Sequence, residues 1–384
     1  MFDYIIVGAG FAGCVIANKI ATELNKKVLI IEKRHHIGGN CYDYMNKHGI
    51  LVHKYGPHLF HTNNKEVVDY LSQFTQWEPY EHKVLANIDG TEVPLPFNLN
   101  TIDSLFPPTL AKKYEEVLLK HFTYNTKVPI LELMKSKDPL LSELADYIYQ
   151  KVFFNYTTKQ WGISPEEIDS SVTSRVPIFI GRDNRYFNDQ YQMLPKEGYT
   201  TLFSNMIKNP NIKLMLNTDC KEVINLDNAE DKINFLGAPY TGKLIFTGRI
   251  DDLFSYDLGE LPYRSINFEF ETLPIQQYQT ATTINYPNNY EFTRITEFKH
   301  MQTSKSKSTS TTIVKEYPTS YNKDVDVPYY PVFTPHNQKL YSKYNLMTSK
   351  YKNLFTIGRL AEYKYYDMDD VIEAAIKFFN EEIK

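Results

Sequence analysis

Cysteine and long apolar runs are scarce in this chain of 384 residues. The three cysteines, Cys14, Cys41 and Cys220, are odd in number and lack the spacing of metal ligands, so we expect reduced, buried thiols and no metal site. No apolar run reaches the ~18 residues that suggest a membrane span, and the first residues resemble a strand rather than a signal peptide. These absences predict a cytoplasmic protein without a membrane span.

Positive charge is also limited, since the formal net charge is −4. This balance argues against a broad nucleic-acid or anionic-membrane surface but permits a local basic pocket, so the expected partner is a small molecule. Arginine is rarer than lysine, at 8 residues against 34. Because lysine cannot replace a planar bidentate donor at a diphosphate, each arginine is informative. The arginines are Arg34, Arg175, Arg182, Arg185, Arg249, Arg264, Arg294 and Arg359.

A glycine-rich segment, DYIIVGAGFAG, occupies residues 3–13. Its first apolar residues predict a buried strand, after which Gly8 permits a tight turn and Gly10 lets the backbone approach a pyrophosphate. Gly13 then allows the next helix to pack closely on the strand. The amides and the dipole at the start of that helix form an anion site.

A second apolar segment, residues 27–31, ends at Glu32. A carboxylate at this position accepts hydrogen bonds from a ribose 2′-OH, which favours FAD or NAD over NADP. A lone GxGxxG motif can be an incidental glycine loop, but the strand, turn, helix, strand and acidic residue together indicate a dinucleotide site. No second such motif follows, which argues against a pyridine-nucleotide disulfide reductase.

The remaining chain predicts a mixture of helices and strands. The polar, glycine-punctuated residues 34–62 predict a loop around a cofactor without regular structure. Period-3.6 spacing over 101–170 predicts a helical insertion. Other expected elements are a helix at 65–77, a hairpin at 83–97 with Asp89 and Gly90 as its turn, strands resuming over 211–248, an antiparallel sheet at 263–334, an exposed polar loop at 301–312 and a last helix at 369–382.

Two loops and two aromatic segments could carry chemistry. Residues 37–43, IGGNCYD, could lie against a dinucleotide or form an ordinary turn, and residues 55–62, YGPHLFHT, could aim His58 or His61 at a ring system or use them structurally. Residues 153–162, FFNYTTKQWG, offer aromatic rings for a flat base or for core packing. The Gly-Arg pair in residues 358–370 is typical of a contact to the flavin pyrimidine ring, whereas surface salt bridges are the default for any other single arginine.

These motifs in this order resemble the bacterial UDP-galactopyranose mutases nearly from end to end. The matching segments are VGAGFAG, IEKRHHIGGNCYD, YGPHLFHT, NYTTKQWG, SRVPI, RYFNDQYQMLPKEGYT, YRSINFEF, TRITEFKH, IVKEYP, PYYP and GRLAEYKYYDMDD. Two features depart from the family pattern: Arg249 stands where a proline is expected, and the Ser/Thr/Lys loop at 301–312 is enlarged.

The resemblance implies an α/β fold and a homodimer. It implies a Rossmann-like FAD-binding domain with an inserted helical domain and an antiparallel β-sheet domain, interleaved in sequence. The implied ranges are 1–80, 195–260 and 340–384 for the FAD-binding domain, 98–180 for the helical domain, and 81–97, 181–194 and 261–339 for the sheet domain.

The resemblance also implies an activity, the interconversion of UDP-galactopyranose and UDP-galactofuranose for cell-surface polysaccharide. In that family N5 of reduced FAD attacks the anomeric carbon and displaces UDP, and the opened sugar recloses through O4. The protein holds the departing diphosphate and excludes water. Alternatives are a mutase that also accepts UDP-N-acetylgalactosamine, an FAD-dependent amine oxidase-like oxidoreductase, and a flavin- or nucleotide-binding protein without catalysis.

Site residues follow from the same resemblance, position by position, with no metal ligand among them. The implied catalytic residues are Arg175, Arg294 and His58. The implied substrate-binding residues are Tyr156, Trp161, Arg175, Tyr186, Arg294, Tyr330, Tyr365 and Asp367, the last of which we expect to orient an arginine. The implied cofactor-binding residues are Gly8, Gly10, Phe11, Ala12, Gly13, Glu32, Lys33, Gly39, Asn40, His58, Leu59, Arg359 and Met368.

Overall fold

A five-stranded parallel sheet carries the glycine-rich turn. The computed structural model describes residues 2–162, 177–227, 231–302 and 308–384. Every residue of the first two strands is buried, as expected of parallel strands covered on both faces. In spatial order the strands are Ile212–Met215, Val28–Ile31, Tyr4–Val7, Lys243–Phe246 and Leu354–Thr356.

Helices cover this sheet and close the chain. Phe11–Glu23 begins directly after Gly10 and packs against the last helix, Met368–Phe378, which continues as a π-helical turn at Phe379–Ile383. The helix predicted at 65–77 ends earlier, at Leu71, because the chain turns there and re-enters a strand at Trp77. The other α-helices here are Lys65–Leu71, Tyr199–Met206, Cys220–Val223, Ile250–Leu253 and Pro335–Thr348.

A seven-stranded sheet forms the second layer. It contains the predicted hairpin, whose turn residues Asp89 and Gly90 have φ values of 50° and 91°, as a two-residue type I′ turn requires. Its strands run antiparallel except where Thr283–Asn285 pairs in parallel with Val84–Ile88. In spatial order they are Tyr330–Pro331, Tyr263–Leu273, Thr311–Ser320, Arg294–Glu297, Thr283–Asn285, Val84–Ile88 and Thr91–Leu95.

The predicted helical insertion is confirmed over its described residues, with one correction. Thr126–Val128 is a strand, paired antiparallel with Ile178–Ile180, because Asn125 with φ of 64° turns the chain out of the preceding helix. The helices are Leu99–Leu105, Pro108–His121, Ile130–Leu133, Pro139–Ile148, the π-helical Tyr149–Phe154 and Asn155–Trp161. Their apolar core is shared with the hairpin strands Val84–Ile88 and Thr91–Leu95 of the seven-stranded sheet.

Short sheets correct the prediction of an irregular segment at 34–62. Asp43–Met45 pairs with Leu51–His53, and Phe60–Thr62 joins a three-stranded sheet, because each supplies a few alternating apolar residues that sequence polarity concealed. The remaining short elements are strands Trp77–Pro79, Tyr191–Pro195, Ile224–Asp227, Lys232–Phe235 and Ala238–Pro239, and 3-10 turns Gly39–Cys41 and Phe298–Met301.

The architecture confirms the predicted α/β class with a Rossmann-like unit and further sheets and helices. The domain ranges given above stay a prediction. Within the described ranges, no helix combines the length and the apolar character needed to cross a bilayer. All three cysteines are free, and Cys220 is half-buried rather than buried.

Arg249, the departure from the family pattern, fits its turn without strain. Its φ of −69° is the value that a proline ring would impose, so the backbone is the same for either residue. The side chain is only 6% exposed, lies 3.7 Å from the Asp252 carboxylate and donates to the Tyr256 hydroxyl at 2.6 Å. Asp251, which is fully buried, adds a second negative charge that raises the Arg249 pKa against the opposing effect of burial.

We predict that Arg249→Met lowers the free energy of unfolding by about 3 kcal/mol, because it removes the guanidinium charge beside the buried Asp251 carboxylate, whereas Asp252 keeps Lys221 as a partner. Urea unfolding monitored by circular dichroism measures the change. Arg182→Met is the matched control, since Arg182 also has two acidic partners but is 40% exposed, and its loss should be below about 1 kcal/mol. Equal losses for the two variants would contradict the assignment of a buried ion pair.

Candidate active site

A cleft of about 740 Å³ extends from the carboxyl ends of the parallel strands to the helix Asn155–Trp161. Carboxyl ends of parallel strands are where open α/β sheets bind ligands. Most of the residues predicted from the sequence line this one cleft. They are Gly8, Gly10, Phe11, Ala12, Glu32, Lys33, Gly39, Asn40, His58, Leu59, Tyr156, Tyr186, Arg294, Tyr330, Arg359, Tyr365, Asp367 and Met368.

Bare backbone forms one end of the cleft. Gly8 has φ of 105°, and a Cβ there would lie 2.1 Å from Thr247 Oγ1. Gly10 directly precedes the first helix. Gly39 packs so closely against Gly10 that a Cβ on Gly39 would lie 3.1 Å from the Gly10 Cα. Gly13 lies beneath the cleft, where a Cβ would meet the Gly8 carbonyl oxygen at 2.0 Å. Gly8, Gly10 and Gly39 therefore shape this end of the cleft, and Gly13 allows the first helix to pack on the strand before it.

Glu32 is held at this end by the backbone. Its two carboxylate oxygens accept hydrogen bonds from the Ala9 and Arg34 amides, each at 2.9 Å. The side chain is 7% exposed and lines the cleft, so its remaining lone pairs are available to a ligand there. The Arg34 guanidinium lies 4.5 Å from the centre of the Tyr55 ring and donates to Asn40 Oδ1 at 3.0 Å. A ribose hydroxyl would find a fixed acceptor here, as the sequence predicts.

Arg359 lies beside a stacked pair of tyrosine rings in the middle of the cleft. Its guanidinium carbon is 5.0 Å from the centre of the Tyr330 ring and 4.4 Å from that of Tyr365, and the two rings are parallel within 4°. Arg359 Nε and Nη2 are buried without a hydrogen-bond acceptor in the described protein. A buried guanidinium with unsatisfied donors is costly unless a ligand accepts from it. Together with the glycine cradle and Glu32, these donors fit a bound flavin dinucleotide.

His58 presents a neutral imidazole to the cleft. Burial, aided by the charges of His53, Arg359 and Arg294, lowers its pKa to about 4. His58 Nδ1 lies 2.9 Å from the Gly56 carbonyl oxygen, and a carbonyl can only accept, so the neutral ring carries its proton on Nδ1. Nε2 is therefore the acceptor nitrogen of His58.

Arg294 forms the far end of the cleft with Tyr156. Arg294 Nε lies 2.7 Å from Glu316 Oε2, and Glu316 is 1% exposed. Burial opposes the charge on Arg294, but the Glu316 carboxylate outweighs it and raises the Arg294 pKa, so the guanidinium stays charged. Burial raises the phenol pKa of Tyr156, and the nearby Arg294 charge opposes that rise.

Among the described residues no arginine pairs with Asp367, and because Arg175 lies outside them, the role of Asp367 in orienting an arginine stays a prediction. Asp367 precedes the last helix, and its amide donates to the Asp370 carboxylate at 3.0 Å. Met368 begins that helix and lies 3.7 Å from the Cys41 thiol. The last helix therefore directs its N-terminus at the cleft.

Three polar atoms near Arg294 were not predicted from the sequence. His82 Nδ1, Asn285 Oδ1 and Glu316 Oε1 are buried without hydrogen-bond partners among the described residues, and the first two residues line the cleft. Burial lowers the His82 pKa to about 3, so its ring is neutral. Unsatisfied polar atoms at a charged cleft end suit a polyhydroxylated ligand. Strand pairing brings Asn285 and Glu316 to Arg294, whereas His82 comes from the segment before the strand Val84–Ile88, and no local motif marks any of the three.

The side chains of two predicted site residues lie outside the described part of the structure. Arg175 lies outside the described residues, and of Trp161 only the backbone, at the end of the helix Asn155–Trp161, is described. Arg182 and Arg185 form surface ion pairs, the first with Asp103 and Glu115 and the second with Asp183. Within the described ranges, no three His, Cys, Asp or Glu side chains form a group that could hold a metal ion.

A glycine cradle with a carboxylate acceptor, joined to a cationic end, defines a Rossmann-like dinucleotide-binding protein with room for a second ligand. A family model described as UDP-galactopyranose mutase matches residues 151–365, and one described as an NAD(P)-binding Rossmann-like domain matches residues 6–74. The chain belongs to the UDP-galactopyranose mutase family, and it is an isomerase.

Individual relatives agree with this membership. The chain is 37% identical to a UDP-galactopyranose mutase of Mycoplasma genitalium, over 98% of this chain and 93% of that protein. It is 35% identical to a dTDP-fucopyranose mutase of Escherichia coli, over 98% of this chain and 97% of that protein. A crystal structure of reduced UDP-galactopyranose mutase shares the fold, with a TM-score of 0.76 at 16% identity over 99% of this chain and 93% of that one.

Because the buried histidines are neutral, we predict that the free energy of unfolding decreases when the pH is lowered. Burial lowers the pKa of His36 and His58 to about 4 and of His53 and His82 to about 3. An unfolded histidine titrates near ~6.5, so between about pH 6.5 and 4.5 the unfolded chain binds protons that the folded chain does not. We therefore expect the free energy of unfolding, measured with urea, to decrease steadily as pH falls through this window.

His53→Gln, at a 3% exposed position, should reduce this slope because it removes one of the four groups. His300, whose pKa the Glu297 carboxylate raises, contributes a slope of opposite sign that lies mainly above pH 6.5 and so outside this window. An unchanged slope in His53→Gln would contradict a neutral His53 imidazole in the folded protein. Burial raises the pKa of the Asp43, Asp251, Glu316 and Asp369 carboxyls, so their titration opposes the histidine slope towards the acidic end of this window.

Proposed function

We propose that this isomerase interconverts UDP-galactopyranose and UDP-galactofuranose with reduced FAD as its cofactor. The single observation that carries the proposal is the continuous cleft. It joins the Gly8 and Gly10 cradle, through the unsatisfied guanidinium of Arg359, to the charged guanidinium of Arg294. A dinucleotide at one end would therefore lie next to an anionic substrate at the other.

The cofactor residues have distinct tasks in this proposal. Glu32 accepts from the ribose hydroxyls, the Gly8 to Gly10 turn and the first helix N-terminus hold the pyrophosphate, and Arg359 donates to the flavin. Lys33, Gly39, Asn40, Leu59 and Met368 are proposed as further contacts. When bound and reduced, the flavin supplies an electron-rich nitrogen, N5, as a nucleophile for the anomeric carbon.

The substrate residues hold the nucleoside diphosphate while its bond to the anomeric carbon breaks and re-forms. Arg294, with Arg175, neutralises the charge that develops on the departing phosphate, and hydroxyls of Tyr186, Tyr330 and Tyr365 donate to it. Tyr156 and Trp161 bind the uridine. His58 Nε2 can hold a proton close to the cofactor, because its neutral ring leaves that nitrogen as an acceptor.

A different sugar nucleotide is the nearest alternative. The Escherichia coli relative named dTDP-fucopyranose mutase makes a 6-deoxy sugar on a thymidine diphosphate a reasonable second substrate. A 2-acetamido sugar changes only the room required at the 2-position. An amine oxidase-like activity is disfavoured, because Arg294 and the unsatisfied polar atoms around it suit no apolar substrate.

Cytoplasmic location, a homodimer and a role in cell-surface polysaccharide are further parts of the proposal. They rest on the resemblance to the family. Light scattering on the purified holoenzyme measures the dimer directly.

Turnover tests the function. Dithionite-reduced protein is expected to convert UDP-galactofuranose to UDP-galactopyranose, resolved by anion-exchange chromatography, whereas air-oxidised protein is not. UDP-N-acetylgalactofuranose and dTDP-fucofuranose in parallel assays rank the substrates. No conversion of any of the three by reduced, FAD-loaded protein would end the mutase proposal, and peroxide from an amine would favour the oxidase.

We predict that Arg294→Lys lowers kcat/KM by a few hundred-fold to a few thousand-fold. Lysine keeps the charge beside Glu316 but loses the planar donors, and a buried charge-assisted contact in the transition state contributes about 3–5 kcal/mol. Arg182→Lys, at an exposed ion pair, should leave kcat/KM within about twofold. Similar losses in both variants would argue against a phosphate contact at Arg294.

A further inference from the structure

The helix Asn155–Trp161 is fastened to the seven-stranded sheet by two cations. Lys159 Nζ donates to the carbonyl oxygens of Tyr286, Tyr290 and Phe292 at 2.6, 3.1 and 3.3 Å. Arg264 approaches from the sheet, donating to the carbonyl oxygens of Lys159 and Gln160 at 3.2 and 3.0 Å. One cation therefore extends from the helix to the sheet, and the other from the sheet to the helix.

Neither cation has an acidic partner within 4.0 Å in the part of the chain that is described. Burial lowers the pKa of Lys159 to about 8 and also lowers that of Arg264, which is 7% exposed. A desolvated cation without a carboxylate is expensive and needs several well-placed acceptors. The carbonyl contacts therefore fix both side chains in place.

The loop that Lys159 gathers lies between two residues of the cleft. Residues 286–293 connect the strand that ends at Asn285 to the strand that begins at Arg294, and these two residues are paired in register. Three carbonyls of one short loop converge on a single ammonium group, so the loop has little freedom. The orientation of Asn285 and Arg294 thus depends on where Lys159 holds the loop.

The same helix carries Tyr156, one turn before Lys159. Its C-terminal residue Gly162 has φ of 69°, and a Cβ there would lie 2.7 Å from Arg264 Nη1. Asn155 adds a hydrogen bond from the helix to Asn288 at 2.9 Å. These contacts therefore hold the helix that carries Tyr156 in a fixed position relative to the loop next to Arg294.

We propose that Lys159 is a positioning residue that holds the Tyr156 helix and the Arg294 strand at the separation a nucleoside diphosphate requires. It does not touch the ligand. Its carbonyl partners, rather than a carboxylate, leave its positive charge available to an anionic substrate nearby. This inference rests on the proposed function, because it takes the base and the diphosphate to lie at Tyr156 and Arg294.

The test measures UDP binding to the FAD-loaded protein by isothermal titration calorimetry. Lys159→Met should raise the Kd for UDP on the order of tenfold, whereas Lys159→Arg should stay within about threefold, since arginine can also donate to several carbonyls. Lys151→Met is the matched control on the same helical segment, because Lys151 pairs with Asp89 on the surface, and it should leave Kd unchanged. In turnover, KM should rise about tenfold while kcat falls less than threefold.

A double-mutant cycle separates positioning from general stability. If Lys159 acts through Arg294, then Lys159→Met in an Arg294→Lys background should change Kd by less than about twofold. A full tenfold effect in that background would overturn the inference. Should Lys159→Met fail to fold, Arg264→Lys replaces it in the same cycle with the same expected outcome, because Arg264 holds the helix from the other side.

The two proposals fail differently. Wild-type protein that does not bind UDP would refute the proposed function. Wild-type protein that binds UDP while Lys159→Met binds equally well would refute only the positioning role.

Discussion

The ion pair between Arg294 and Glu316 determines how the rest of the cleft is organised. A carboxylate that is 1% exposed can remain charged only beside a cation, and its second oxygen finds no donor among the described residues. The pair occupies one donor of the guanidinium, at Nε, and leaves its other nitrogens for a ligand. Because Arg294 and Glu316 face each other across paired strands, the sheet register sets where this charge meets the cleft.

Cations in the cleft and behind it are stabilised in three different ways. Arg294 has a buried carboxylate, Arg359 has two adjacent tyrosine rings, and Lys159 with Arg264 has backbone carbonyls. Only the first arrangement supplies a full negative charge. Rings and carbonyls stabilise a cation without neutralising it. In the proposed complex, the diphosphate of the substrate would supply negative charge beside these cations.

Local signals made the dinucleotide end predictable from the sequence. Gly8, Gly10, Gly13 and Glu32 act through neighbouring backbone, and the structure gives each the geometry that its motif requires. The Asp89 and Gly90 turn is equally local. Short strands within 34–62 and at Thr126–Val128 escaped prediction, because three residues of alternation are too few to outweigh polar and glycine-rich surroundings.

The substrate end was less predictable, because it depends on pairing between distant strands. Asn285, Arg294 and Glu316 lie on three adjacent strands whose register no local pattern specifies, and His82 comes from a fourth segment. The resemblance to a family predicted Arg294 and Tyr156 as site residues, but it did not predict the Asn285, Glu316 and His82 side chains near Arg294. Lys159 is an example, because it donates to backbone carbonyls. Every residue type has a backbone carbonyl, so a sequence motif can identify the lysine but not its hydrogen-bond partners. Contacts between a side chain and the backbone of a distant loop can be identified only in the folded structure, where the loop lies against the helix.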